Sequence, residues 1–263
     1  MKEKFISNER GKVFYWISEQ RHERTIFFMP GLTADHTLFE SQFDFFAREY
    51  NVIAWDMALH GKSRPYQDFF FENVAADANQ ILEQEGITHT VVAGQSAGGY
   101  AAQAFVLFYP EKTDAFISID STPFGMKYYK KSELLWTSHF RTIAKLYPYG
   151  YYCRTVVKAT AGNEQAQQSF HECLVKLGKK GMLEACDKVY NDFYKYEEVN
   201  FQCPVLLLLG EKDTAGYVKK YSEHWAKELG QELVIIPGAK HNSNADKPEL
   251  FNSIVYDFLK QKL

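Results

Sequence analysis

The sequence lacks any apolar run long enough to cross a bilayer. Its longest runs, such as Val205 to Leu209, fall far short of the ~18 residues that a membrane helix requires. The amino terminus carries charges where a signal peptide would need a continuous apolar stretch. These absences predict a cytoplasmic protein that does not use a membrane as a partner.

A large excess of charge of one sign is also missing. The 263 residues include 30 Lys and Arg against 33 Asp and Glu, which gives a formal net charge of -3. Proteins that bind nucleic acid through the phosphate backbone depend on a basic surface. The balance of charges therefore argues against nucleic acid as a partner.

Cysteines are few, and their spacing is not that of a metal site. They stand at Cys153, Cys173, Cys186 and Cys203. Zinc sites and disulfide scaffolds need paired spacing or a high cysteine density, and neither is present. We expect free, partly buried thiols and no metal ion.

Bulky apolar residues are abundant, and their pattern alternates between strand and helix. Hydrophobic residues make up 46% of the chain, which contains 21 Phe and 17 Tyr. Short β-branched and aromatic runs predict seven strands: Lys12 to Ile17, Thr25 to Met29, Asn51 to Trp55, Thr90 to Ala93, Ala115 to Ile119, Pro204 to Leu209 and Glu232 to Ile236. Helical periodicity predicts five helices: Leu38 to Arg48, Phe71 to Glu85, Ala97 to Tyr109, Tyr217 to Leu229 and Pro248 to Leu259.

This order of elements predicts an α/β fold with a doubly wound, mostly parallel sheet flanked by helices. Val205 to Leu209 is apolar at every position, as in a strand that helices cover on both faces. The stretch 123–200 breaks the alternation, because it is helical in pattern and has no convincing buried strand. We therefore expect a core formed by residues 1–122 and 201–263, with residues 123–200 inserted as a helical cap.

A serine stands in the turn between a predicted strand and a predicted helix. Gly94-Gln95-Ser96-Ala97-Gly98 follows Thr90 to Ala93 and precedes an Ala-rich segment. A serine at such a turn has strained backbone geometry, so its neighbours two positions away must be small. The helix amino terminus also favours developing negative charge. Neither the dinucleotide Gly-x-Gly-x-x-Gly motif nor a Gly-Lys-Ser/Thr ending is present, which argues against nucleotide binding.

With this motif the chain resembles the α/β-hydrolase fold family, in particular its cap-bearing esterases, thioesterases, lactonases and carbon-carbon bond hydrolases. The family has its nucleophile, acid and histidine in that chain order. The resemblance therefore implies Ser96 as the nucleophile, Asp213 after the strand Pro204 to Leu209 as the acid, and His241 after the last strand as the base. Asp120, which ends the strand Ala115 to Ile119, is the alternative acid, because some members carry theirs there.

The resemblance also implies an oxyanion hole and a supporting loop. Thr25 to Thr33 is similar to the family's oxyanion loop, so the backbone N–H groups of Leu32 and Ala97 are the expected donors. Pro30-Gly31 stands where the family usually has His-Gly, which leaves a main-chain donor intact. Asp56 to Ser63 resembles a structural turn of the family, with Leu59 where glycine is common. We expect no direct catalysis by Asp56 or His60.

The function that this resemblance implies is cofactor-free hydrolysis of a small ester-like or other acyl substrate. A carbon-carbon bond hydrolase or lyase is the alternative, because the same three residues serve both reactions. A ligand-binding relative without activity is an alternative of another class. Aromatic residues near the start of the cap are expected to take part in setting substrate size; they are Phe124, Tyr128, Trp136 and Phe140.

Overall fold

An eight-stranded sheet runs through the centre of the protein. The computed structural model describes the backbone of residues 1–263 and the side chains of all of them except 133 and 135–138. The strands are β1 (Lys2–Asn8), β2 (Gly11–Ile17), β3 (Thr25–Met29), β4 (Asn51–Trp55), β5 (Thr90–Gln95), β6 (Thr113–Ile119), β7 (Val205–Gly210) and β8 (Leu233–Ile236). The α-helices are α1 (Glu40–Phe46), α2 (Phe71–Glu85), α3 (Ala97–Phe108), α4 (Lys131–Ala144), α5 (Tyr149–Thr160), α6 (Glu164–Tyr190), α7 (Val218–Leu229), α8 (Ser243–Asp246) and α9 (Pro248–Lys262).

The sheet is mostly parallel, as predicted. Its strand order is β1-β2-β4-β3-β5-β6-β7-β8. Strand β2 pairs antiparallel with both β1 and β4, whereas all pairs from β4 to β8 are parallel. The carboxyl ends of the parallel strands meet at one edge of the sheet, so the loops that follow them lie close together.

Helices cover both faces of the sheet. The side chains of strand β3 pack alternately against the helices on one face and those on the other. Every residue of β3 is buried. Successive side chains of a strand point to opposite faces. Phe27 and Met29 accordingly pack in a cluster with residues of α2, α3 and α7, while Ile26 and Phe28 pack with residues of α1 and α9. The same holds for β7, where Leu207 packs in the first cluster and Leu206 and Leu208 in the second, so the prediction for this strand is confirmed.

The seven predicted strands are present, each within two residues of its expected bounds at either end. The prediction missed β1, which pairs with β2 from Lys2 to Asn8 at the edge of the sheet. Only Ile6 of this strand is fully buried. A strand with one buried side chain has no clear apolar alternation, so the sequence pattern did not reveal it.

Helices α4, α5 and α6 lie in the segment between β6 and β7. The long α6 is interrupted at Gly178, where φ is 71° and the backbone leaves helical geometry. The division into a core and a cap of residues 123–200 stays a prediction. Among the described residues, no helix has both the length and the apolar character needed to cross a bilayer. All four cysteines are free, and three of them are buried, in agreement with expectation.

Two leucines allow the contribution of the core to be measured. Leu82 on α2 is fully buried, whereas Leu146 is 83% exposed. We expect Leu82→Ala to lower the free energy of unfolding by about 2–5 kcal/mol, because it leaves a cavity. The matched change Leu146→Ala should alter it by less than about 0.5 kcal/mol. Urea titrations followed by circular dichroism measure both. Equal losses in the two variants would contradict this packing.

Candidate active site

Ser96 lies at the turn between β5 and α3, where φ is 51° and ψ is −119°. A residue other than glycine in such a strained conformation costs about 1–3 kcal/mol. Surrounding hydrogen bonds hold the turn in place. The amide of Ser96 donates to the carbonyl of Ile119 at 2.9 Å, and its carbonyl accepts from Ser121 Oγ at 2.7 Å. The serine is therefore fixed at the start of α3 by bonds to β6 and to the residues that follow it.

Two glycines allow the backbone to approach this turn closely. A Cβ atom on Gly94 would lie 2.2 Å from the carbonyl oxygen of Gly98, and one on Gly98 would lie 1.9 Å from that of Met29. Both distances are far below van der Waals contact, so neither position accepts a side chain without movement of the backbone. The first turn of α3 consequently lies directly against the end of β3.

The loop after β3 reaches Ser96 as a result. A Cβ atom on Gly31 would lie 3.0 Å from the Cβ atom of Ser96. Leu32 and Ala97 both line the cavity that Ser96 lines. Because Ala97 is the first residue of α3, its N–H has no acceptor within the helix. The structure thus brings the two predicted backbone donors to the same wall as the serine.

His241 and Asp213 form a buried pair beside this cavity. His241 Nδ1 lies 2.8 Å from Asp213 Oδ2, and the other carboxylate oxygen accepts from the amide of Ala215 at 2.8 Å. Burial opposes a charge on the imidazole, but the Asp213 carboxylate and, to a smaller extent, Asp120 outweigh it. Together they raise the pKa of His241 above its usual 6.5. A donor at Nδ1 fixes the tautomer and leaves Nε2 free to act as a base.

Asp120, the alternative acid, has a different set of partners. Its carboxylate accepts from the amide of Gly210 at 2.7 Å and from the amide of Ser243 at 2.9 Å. Burial raises the pKa of Asp120 to about 7. Its two bonds join the end of β7 to the loop that carries His241. Between the two candidates, only Asp213 is hydrogen-bonded to the histidine ring.

Gln95 also holds the histidine loop, and the sequence analysis did not single it out. Its Nε2 donates to the carbonyl of His241 at 2.7 Å. The backbone amide of Asn242, the residue after His241, donates to the carbonyl of Thr160 at the end of α5. Gln95 occupies a variable position of the Gly-x-Ser-x-Gly motif, so no local signal in the sequence indicated this contact.

The loop after β4 is a buried structural turn. Asp56 accepts from the amide and Nδ1 of His36 at 3.0 and 2.8 Å. His60 is fully buried, its Nδ1 donates to a carbonyl of the same loop, and burial lowers its pKa. Leu59 adopts a φ of 72°, a conformation that favours glycine. Neither Asp56 nor His60 lines the cavity beside Ser96.

Of the described residues, one group has ligand atoms spaced as in a metal site. It consists of Asp35, His36 and Asp56, whose ligand atoms lie within 4.8 Å of one another. These atoms are already engaged, because His36 Nδ1 bonds to Asp56 and Asp35 Oδ1 accepts from Thr37. The His36 ring also stacks on Trp16 at 3.3 Å. The group therefore stabilises its own loops, away from the cavity wall.

A cavity of about 800 Å³ lies beside Ser96. Its wall combines the loops after β3, β5, β7 and β8 with residues of α4, α5 and α6. Of the four aromatic residues expected to take part in setting substrate size, Phe140 lines the cavity. Phe124 is buried in the core instead, and Tyr128 lies against Glu198 outside the lining. The side chain of Trp136 lies outside the described residues.

Comparison with known proteins supports the resemblance to the α/β-hydrolase fold family. A sequence model of the alpha/beta hydrolase fold matches residues 24–151. The human serine hydrolase BPHL is 25% identical over 80% of this chain and 70% of its own. The 3-oxoadipate enol-lactonase 1 of Acinetobacter baylyi is 21% identical over 97% of this chain and 96% of its own.

Solved structures show the same fold at low sequence identity. A thermophilic esterase from Thermogutta terrifontis superposes with a TM-score of 0.82 over 99% of both chains, at 17% identity. A hydrolase from Pseudomonas aeruginosa superposes with a TM-score of 0.84 over 98% of both chains, at 16% identity. With the sheet topology and the matched model, these similarities show that the chain has the α/β-hydrolase fold, and its sequence relatives named as hydrolases indicate an enzyme.

Proposed function

We propose that this enzyme is a serine hydrolase that cleaves a small ester-like or other acyl substrate through an acyl-enzyme on Ser96. The observation that carries the proposal is the bond of 2.8 Å between His241 Nδ1 and Asp213 Oδ2, at the wall of a cavity that both His241 and Ser96 line. The names of its relatives, which include an esterase and an enol-lactonase, also favour ester or lactone substrates.

In the first half of the reaction, Ser96 Oγ attacks the substrate carbonyl while His241 Nε2 accepts its proton. Asp213 holds the imidazole in the required tautomer and stabilises the imidazolium that forms. The tetrahedral intermediate then breaks its bond to the leaving group, which receives the proton from His241. The products of this half are an alcohol and an acyl ester on Ser96.

In the second half, water replaces the leaving group. His241 Nε2 accepts a proton from the water, which attacks the acyl-enzyme carbonyl, and the proton then passes to Ser96 Oγ as the acid is released. In both halves the negative charge on the carbonyl oxygen is stabilised by the N–H groups of Leu32 and Ala97. These donors are part of the backbone, so the close contact between β3 and α3 fixes their positions before the substrate binds.

The role of Ser96 as the nucleophile can be tested by substitution and by labelling. Ser96→Ala should lower turnover of p-nitrophenyl butyrate roughly a millionfold, as loss of the serine does in a related mechanism. A fluorophosphonate should add once to the wild-type protein and not to this variant, as read by intact mass. Ser41→Ala, which changes an exposed serine, is the matched control and should label normally. Hydrolysis by Ser96→Ala within tenfold of wild type would refute the assignment.

The second prediction separates the two buried carboxylates. Asp213→Asn should lower turnover about 10⁴-fold, because an amide stabilises the wrong histidine tautomer. Asp120→Asn retains one of its two acceptor oxygens, so the loss of one hydrogen bond should cost no more than about tenfold. Turnover is measured at a saturating ester concentration, and circular dichroism checks that both variants fold. The reverse order of the two losses would move the acid to Asp120.

The third prediction is a pH dependence. His241 must be neutral to accept a proton, and its folded pKa is raised. The value of kcat/KM should therefore rise with pH, with a midpoint above 6.5. Stopped-flow assays of an uncharged ester across the pH range in which the protein stays folded give this midpoint. A midpoint below 6.5 would mean that Asp213 does not stabilise the charged imidazole.

A further inference from the structure

The described wall of the cavity beside Ser96 is largely aromatic. Among the described side chains that line it, eleven are Tyr or Phe, and none is Lys, Arg, Asp or Glu. Burial raises the pKa of Tyr100 and of Tyr129, so both of these phenols stay neutral across the physiological range. A group bound against these side chains would meet aromatic rings and hydroxyls, with no fixed counter-charge other than a protonated His241.

Three hydroxyl groups in this wall form a chain that ends on a backbone carbonyl. Tyr100 Oη lies 2.7 Å from Thr122 Oγ1, which lies 2.6 Å from Tyr129 Oη. Tyr129 Oη donates to the carbonyl of Pro123 at 2.5 Å. Tyr100, Thr122 and Tyr129 all line the cavity.

The carbonyl of Pro123 fixes which hydroxyl donates in each hydrogen bond of this chain of hydroxyls. A carbonyl can only accept, so Tyr129 uses its proton there. Thr122 must then donate to Tyr129, and Tyr100 must donate to Thr122, because any other arrangement leaves one short O···O contact without a proton. All three protons are therefore used within the chain. These hydroxyls can accept a hydrogen bond from a ligand but have none left to donate.

We propose that the cavity selects acyl groups that carry no charge and rejects those that end in a carboxylate. A carboxylate needs either a cation or several hydrogen-bond donors to offset the loss of its water shell. The described wall supplies no Lys or Arg, and the three hydroxyls of its chain have no proton left to donate. The other donors in the lining, such as the amide of Asn242, are uncharged. An uncharged acyl group of the same size loses little water and gains contact with the aromatic rings.

The proposal rests on hydrolysis at Ser96. Three substrates test the selectivity, and their results distinguish its failure from failure of the hydrolase proposal. They are p-nitrophenyl esters of heptanoic acid, of adipic acid as the half-ester and of adipamic acid. The last two differ only in a carboxylate against a carboxamide. We expect kcat/KM for the adipate half-ester to be at least about thirtyfold below that for the adipamate ester, a cautious threshold for an unpaired buried charge.

A smaller ratio would overturn the proposed selectivity while leaving the hydrolase intact. If none of the three esters is cleaved, the hydrolase proposal fails. The adipamate ester isolates the effect of charge, because its carboxamide keeps the shape and much of the polarity of the carboxylate and removes its charge.

A cation placed in the wall should weaken the discrimination. Val156 on α5 is half-buried and lines the cavity. Val156→Lys should raise the adipate-to-adipamate ratio of kcat/KM at least about tenfold, because the ammonium pairs with the carboxylate. Val156→Met, of similar length and no charge, should leave the ratio unchanged. An equal ratio in the two variants would overturn the account, and the wild-type comparison decides the question if Val156→Lys does not fold.

Discussion

The contact of β3 with the first turn of α3 is the constraint on which the rest of the site depends. At Gly98 the backbone of the helix leaves no room for a Cβ atom beside the carbonyl of Met29. This contact brings the loop after β3 against Ser96, and the strained φ of 51° directs the serine to the same place. The proposed nucleophile and oxyanion donors are thus arranged by backbone packing, which needs no rearrangement when a substrate binds.

Buried polar bonds then set the position of the histidine relative to this rigid turn. Gln95, the neighbour of Ser96, holds the carbonyl of His241, and Asp120 holds the amide of Ser243 two residues later. Asp213 bonds to the imidazole itself. Each of these groups is buried, where an unsatisfied partner would be costly. The loop therefore has few alternative conformations, and Asp213 both orients the imidazole of His241 and raises its pKa.

The cavity links this site to the segment between β6 and β7. Helices α4, α5 and α6 supply much of its aromatic wall, whereas the loops of the sheet supply Ser96 and His241. In the proposed reaction, Ser96 and His241 act from the loops of the sheet, while the helices form part of the wall that the substrate would contact.

The sequence predicted the sheet well because its strands carry strong local signals. Every residue of β3 and of β4 is buried, and both strands were predicted to the residue, whereas β1 has one fully buried side chain and was missed. Ser96, Asp213 and His241 could be selected because each follows a recognisable strand in a definite order; their chemical roles stay predictions. The choice between Asp213 and Asp120 needed the folded geometry, because both follow strands that end at the same edge of the sheet. The contact of Gln95 with the histidine loop joins residues 146 positions apart, and no local pattern encodes it.

The central claim is that the acyl group of the substrate passes through Ser96. Rapid-quench mass spectrometry during turnover of p-nitrophenyl butyrate tests it most directly. The account predicts a protein species heavier by one butyryl group, which forms within the first turnover, maps to the peptide that contains Ser96 and disappears as the ester is consumed. Steady hydrolysis of the ester with the butyryl group on another residue and never on Ser96 would contradict it.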